Sequence, residues 1–389
     1  MQDAKLPRSA GAPGIVDGRL PSSGRSSVPA SAAGRSSGRF GIAWTIVLVG
    51  FALLLIELVL RTWLASPSSY EIDPSFGPVR RPRARVIESR EGYADNVLNS
   101  LGLFDAEPSR DGRARALVLG DSFAEAAQVP FDDSFANVAE ALLPGVEVIN
   151  GGLSGLSLPD YVVQLRRLAS LEPDVVVVQI GDGDVSALTN PERVHVRSEG
   201  ETGWSLAIPD FATLHDMDAP GWRLALRRLR RTSALVNESY SRLRLLLGQE
   251  RARLAGRFSG GAATSRRRAV DVSAPGVSRE ETLEMLSYLH RELSREAREL
   301  LYVYVPAMAY SSTGCAVHRE DRRQLYREFA RQAGAILVDP SEAICVEYLR
   351  TRQPLHGFHN SALGEGHLNR RGHRVIGRLL AAALVERQR

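Results

Sequence analysis

Lysine is almost missing from this sequence of 389 residues: Lys5 is the one lysine among 49 lysines and arginines. Arginine supplies every other cation, which reads as a bias of composition and not as a nucleic-acid signature. Cysteine is as scarce. Cys315 and Cys345 stand without a Cys-x-x-Cys pair or a histidine cluster, which argues against a metal site. A disulfide between them and two lone thiols both remain open readings. No Gly-x-Gly-x-x-Gly or Gly-x-x-x-x-Gly-Lys-Ser/Thr run follows a strand, so a nucleotide-binding protein has little support. No internal repeat is visible.

One apolar run, Gly41 to Leu60, is long enough to cross a bilayer, which takes roughly 20 residues. Its one charge, Glu57, lies near the end, and Trp44 and Trp63 flank it as interfacial anchors would. A buried core helix seldom runs so far without a polar face. The forty residues ahead of it argue against a cleaved signal peptide. Residues 1–40 carry six cations and two acids, whereas the rest of the chain is balanced, 43 against 43. A basic tail stays in the cytoplasm, which puts residues 65–389 outside, although Arg61, Arg80 and Arg81 pull the other way. The expected organisation is a disordered cytoplasmic tail (1–40), a transmembrane helix (41–63), a Pro- and Arg-rich stalk or lead-in (64–112) and a main domain (113–389).

From Arg113 onward, short apolar runs alternate with helical stretches. Strands are expected at Ala116–Leu119, Val146–Ile149, Val175–Ile180, Leu301–Val305 and Ile336–Val338. Helices are expected at Ser134–Leu143, Leu158–Ala169, Arg279–Glu299, Asp321–Ala333 and Arg371–Arg387. This alternation predicts a parallel sheet covered by helices on both faces. Residues 190–278 interrupt it as an insert. Between Gly221 and Arg268 the insert is rich in arginine, and Trp222, Leu226, Leu229, Val236, Tyr240, Leu243 and Leu247 fall on one face of a helix broken near Thr232. That face either packs on the domain or lets the arginines dock on anionic headgroups or an acidic glycan.

Chemistry concentrates at the strand ends. Gly120-Asp121-Ser122 follows the first strand and enters a helical stretch, which puts one hydroxyl at a strand-to-helix junction. Asn150-Gly151-Gly152 and Gly181-Asp182-Gly183-Asp184 follow the second and third strands, so all three share the rim where such sheets bind ligands. A serine needs a base, and His367 before the last helix supplies one, with Glu365 as the nearest carboxylate to orient it. His373 is expected to face away inside the helix. His356 and His359 lack a neighbouring carboxylate.

These segments, with Leu153-Ser154-Gly155 and Gly366-His367-Leu368-Asn369, stand in the order of the four blocks of the SGNH hydrolase (GDSL esterase) superfamily, which the sequence resembles. The resemblance implies a flavodoxin-like three-layer α/β/α fold and ester hydrolysis or acyl transfer without metal or organic cofactor. It implies Ser122 as nucleophile, His367 as base, and an oxyanion held by the backbone N–H groups of Ser122 and Gly155. The layout is similar to membrane-anchored bacterial members that act on acyl groups of envelope glycans, so the expected partners are the membrane and an acylated glycan or small ester. Two positions depart from the pattern. Gly183 stands where the family has an oxyanion-binding Asn, and Gly364 stands where the family has the Asp, which leaves Glu365 to serve. A catalytically weak or silent module of this type that binds envelope polysaccharide or an assembly partner is the alternative reading.

Overall fold

The computed structural model describes residues 37–109, 111–200, 203–214, 221–258 and 277–387. The expected disordered tail lies outside these residues up to position 36, as does the stretch 259–276 of the insert. Two units divide the chain, residues up to Ala52 and residues from Leu53 on. Helix Ser37–Val59 continues as a π-helical turn, Leu60–Leu64. Its stretch Gly41–Leu64 is long and apolar enough to span a membrane, with a mean hydropathy of 2.6 over an 18-residue window.

Five parallel strands form the central sheet: β1 (Ala114–Leu119), β2 (Val146–Asn150), β3 (Val175–Gly181), β4 (Leu300–Val305) and β5 (Ile336–Val338). Their spatial order is β2-β1-β3-β4-β5, the flavodoxin-like order, with Leu117 beside Ile149 and Val176 and with Val178 beside Tyr302. Alternate residues of each strand face opposite layers. Leu117, Leu119, Val176, Val178, Tyr302 and Tyr304 pack under α2 (Leu158–Arg167), α3 (Arg279–Glu296) and α4 (Glu320–Ala333). Ala116, Val118, Val148, Val177, Leu301 and Val303 pack under α1 (Phe135–Ala141) and α5 (Arg370–Arg387). Both faces are therefore dry, which is why the strands read as continuous apolar runs and not as alternating ones. The fold is three-layered α/β/α.

The stalk expected over 64–112 is replaced by folded structure. Two antiparallel hairpins occupy it, Tyr70–Asp73 with Gly77–Arg80 and Arg85–Glu88 with Ala94–Val97. The first is fastened to the helix after β1 by a buried ion pair. Arg80 donates through Nε to Glu125 Oε1 at 2.9 Å and through a second nitrogen to Oε2 at 3.0 Å, and its guanidinium lies 3.8 Å from the Tyr70 ring centroid. Glu125 is fully buried, so removing either partner strands a charge in the interior, at a cost of about 3–5 kcal/mol. Proline and arginine suggested an extended stalk. The arginine proved to be an internal fastener.

The insert holds a hairpin (His195–Ser198 with Trp204–Ala207) and two longer helices, Gly221–Thr232 and Ala234–Phe258, which meet at Ser233 beside the expected break. Their apolar face does not pack on the sheet layers. Trp222 is 65% exposed and Leu229 52%, with Leu243 and Leu247 similarly open. Cys315 and Cys345 form a disulfide.

Candidate active site

Ser122 opens the short helix Ser122–Glu125 directly beyond β1. The Asp121 carboxylate caps that helix by accepting the Phe123 N–H at 2.8 Å. As the first helical residue, Ser122 has a backbone N–H without an intrahelical acceptor, free to face a reacting group. Gln179 on β3 fixes the approach by accepting the Asp121 N–H at 2.9 Å. Asn150, ending β2, donates to the Ala124 carbonyl at 2.9 Å and accepts the Gly152 N–H at 3.0 Å. Its own N–H goes to Asp105, whose carboxyl burial pushes up to about 7. The first two motif segments are thus one hydrogen-bonded platform under the hydroxyl.

His367 reaches that hydroxyl from the segment before α5. Its Nε2 lies 2.8 Å from Ser122 Oγ, across 245 positions of sequence. The other ring nitrogen, Nδ1, lies 2.6 Å from Oε2 of Glu91. The same carboxylate accepts the His367 backbone N–H at 2.8 Å through Oε1. The carboxylate that meets the imidazole is therefore Glu91, not Glu365. Glu365 is exposed and sits between two residues with positive φ, Gly364 (+89°) and Gly366 (+82°), which turn its side chain out of the site. Gly366 has a second reason to be glycine, because a Cβ there would lie 2.2 Å from Glu91 Oε1. Nearness to His367 in sequence suggested Glu365. Space belongs to a residue 276 positions away.

Glu91 sits in the turn of the Arg85–Glu88/Ala94–Val97 hairpin, and that turn is clamped. Asn360 accepts the Gly92 N–H at 2.8 Å and donates to the carbonyls of Ser89 and Gly92, each at 2.8 Å. Electrostatics follow the geometry. Burial disfavours the His367 imidazolium, yet the hydrogen bond and charge of Glu91 outweigh it and raise the His367 pKa above its usual value. Burial likewise opposes the Glu91 anion, and the two bonds to His367 outweigh it and lower the carboxyl. A neutral His367 held this way donates through Nδ1 to Glu91 and offers Nε2 as acceptor to the serine hydroxyl. The Phe123 ring lies 5.1 Å from the imidazole and covers one side of it.

The other histidines stand apart. His373 is buried in α5, accepts the Phe135 N–H at 3.2 Å, and is pushed down to about 3 by burial. His356 is buried beside Tyr310, with Nδ1 2.7 Å from its hydroxyl, and burial pushes it down to about 4.

The oxyanion side has less to offer. Gly155 has φ +91°, and Arg193 donates to its carbonyl, which pins the loop beside the nucleophile. Gly183 is exposed, with nothing within 4 Å of where a Cβ would sit. Its acidic neighbours are engaged elsewhere. Asp182 accepts the Tyr304 hydroxyl at 2.6 Å, and Asp184 accepts the N–H groups of Gly181 and Leu158 at 2.7 and 2.8 Å. Burial, with Asp121 nearby, pushes Asp184 up to about 8. The third segment thus braces β3 against α2 and brings no side-chain donor toward Ser122. Among the described residues no cluster of histidine, cysteine and carboxylates could hold a metal ion.

No protein-family model and no curated protein matches the sequence. Several solved structures are similar in fold. An α/β hydrolase from the metagenome of Lake Arreo, Spain, shares 17% identity over 72% of this chain and 97% of its own, with a TM-score of 0.36. A lipolytic G-D-S-L family protein from Veillonella parvula shares 12% over 70% and 98%, with a TM-score of 0.36. The acetyl xylan esterase AlAXEase shares 14% over 69% and 99%, with a TM-score of 0.37.

Proposed function

We propose that this chain is a membrane-tethered serine esterase or O-acyltransferase of the SGNH type. It would act on acyl esters, acetyl foremost, of cell-envelope carbohydrate. The observation that carries the chemistry is the relay Ser122 Oγ–His367 Nε2–Glu91, with contacts of 2.8 and 2.6 Å. A serine alcohol becomes a nucleophile when a positioned base removes its proton as it attacks. In this reading Ser122 Oγ bonds to the ester carbonyl carbon while its proton passes to His367 Nε2. The carbonyl oxygen becomes an oxyanion facing the N–H groups of Ser122 and Gly155. Collapse breaks the ester C–O bond, and the imidazolium gives its proton to the departing alcohol. Water or a sugar hydroxyl then attacks the acyl-serine while His367 takes its proton, and the imidazolium returns that proton to Ser122 Oγ as the acyl–serine bond breaks. Glu91 stays ionised throughout and holds the imidazole in the productive tautomer.

Anchorage by Gly41–Leu64 and an external domain complete the reading. The basic tail before the helix supports this orientation, as does the Cys315–Cys345 disulfide, which suits an oxidising compartment. The carbohydrate substrate is what the resemblance in sequence implies. Gly183 favours a second reading, a silent glycan-binding module.

A fluorophosphonate probe and a panel of acetylated sugars separate the two. The enzyme reading expects probe labelling and acetate release that both vanish in Ser122→Ala. Glycan binding that persists in Ser122→Ala, with no labelling and no turnover in the native protein, would establish the second reading instead.

A further inference from the structure

The membrane-spanning segment ends in a set of contacts with the insert. Glu57, in the last turns of that helix, accepts the backbone N–H groups of Ala234 and Leu235 at 2.9 and 2.8 Å and the Ser233 hydroxyl at 2.9 Å. It thereby caps helix Ala234–Phe258. Arg61 donates to the carbonyl of Thr232, and the Ser68 N–H donates to the carbonyl of Arg230 at 2.8 Å. Asn237 donates to the Ser66 carbonyl at 3.1 Å. Both the end of helix Gly221–Thr232 and the start of the next helix are therefore fixed where the apolar segment gives way to the domain.

Helix Gly221–Thr232 is unusual on its own. At 100° per residue, Trp222, Ala225, Leu226 and Leu229 share one arc, and Arg223, Arg227, Arg228, Arg230 and Arg231 lie on the rest, with Leu224 as the one large apolar residue among them. Among the described residues of this helix none is buried, and the apolar arc carries the 65%-exposed Trp222 and 52%-exposed Leu229. In water this arc leaves Trp222 and Leu229 exposed, with the Arg223 guanidinium, 5.4 Å from the Trp222 ring centroid, over the indole. At a bilayer the same pattern lies in the interface, with the apolar arc at the acyl boundary and the cations among the phosphates.

We propose that helix Gly221–Thr232 is an interfacial helix that docks on the anionic headgroup layer of the membrane holding Gly41–Leu64. The docking rests on the anchorage proposed above. Its one occupant is lipid: the helix is tied to Arg61 and Ser68, and the headgroup layer is only about 5–8 Å thick on each side of the hydrocarbon core.

The test uses the full chain in nanodiscs. Its two cysteines are paired with each other, so one introduced cysteine can carry a fluorophore. Three sites are labelled separately: Leu229→Cys for the docking face, Leu54→Cys for the anchor, and Leu142→Cys for a half-exposed position on the sheet domain. Quenching is read with lipids spin-labelled at the headgroup, in phosphatidylglycerol and in phosphatidylcholine discs. Strong quenching at Leu229→Cys in phosphatidylglycerol is expected. It should fall to the Leu142→Cys level when Arg223, Arg227, Arg228 and Arg231 become glutamine, since each cation near an anionic surface shifts the docked population about fivefold. Quenching at the anchor position with none at Leu229→Cys would overturn the docking and leave the anchorage standing. No quenching at the anchor position, with chain-labelled lipids included, would remove both. Equal quenching of Leu229→Cys in the two lipids would overturn the anionic assignment. Arginine-dependent retention on an acidic polysaccharide, with Leu229→Cys unquenched, would put a glycan in place of the lipid and overturn the proposal.

Discussion

The two sides of the candidate site are built to different standards. On the proton-transfer side, every group has its partner: Ser122 meets His367, His367 meets Glu91 twice, and the Glu91 turn is clamped by Asn360. On the oxyanion side, the chain offers backbone amides and an open space at Gly183. The difference teaches that activation of the nucleophile and stabilisation of the charge it creates are separable parts of the architecture. The first is over-determined and the second is thin. A site of this kind is expected to label readily with reactive probes and to turn over slowly on ordinary esters.

The largest effect is expected at Glu91. Glu91→Gln keeps the shape and removes the charge that orients and stabilises the imidazolium, so kcat should fall about ten-thousandfold. A small loss would mean that the proton-transfer side is less tightly built than its contacts suggest. Gly183→Asn tests the other side. The space around Gly183 accepts a side chain, and with the oxyanion where the resemblance in sequence implies, an amide donor there should raise kcat by about a hundred- to a thousandfold. An unchanged rate would show that backbone amides already suffice. Gly366→Ala forces a methyl against Glu91 Oε1 and strains a backbone at φ +82°, and a displacement of about 1 Å should cost about a hundredfold. The pH profile sharpens the same side. Only neutral His367 accepts the serine proton, so kcat/KM should rise with pH to a plateau. The inflection should lie above the usual histidine range and move down in Glu91→Gln. Glu365→Gln should change nothing, because that side chain is turned away.

The sequence shows the sheet plainly because parallel strands buried on both faces must be apolar throughout, as in Val175–Gly181 and Leu300–Val305. Ser122 and His367 are legible from local patterns: Ser122 sits between an apolar run and a helix, and His367 in the loop just before the last helix. Glu91 is not legible. It lies in a Pro- and Arg-rich region without strong periodicity, and nothing local links it to a histidine 276 positions on. Glu365 attracted attention through adjacency alone, which two left-handed glycines undo. The exposed face of Gly221–Thr232 was readable as amphipathic, but periodicity does not say what covers a face.

The turn that carries Glu91 has one more consequence. Ser89 donates to the Leu64 carbonyl at 2.5 Å, Arg90 donates to Glu238 in helix Ala234–Phe258, and Glu91 holds His367. Three successive residues thus grip the last turn of the apolar helix, the insert and the base. Summing bond and side-chain lengths, the nucleophile stands no more than about 25 Å from Leu64, with no slack tether between. Reach is set by molecular dimensions, not by a swinging leash. Under the anchorage proposed above, an ester far from the bilayer must come to this protein, whereas one carried on a lipid lies within its reach.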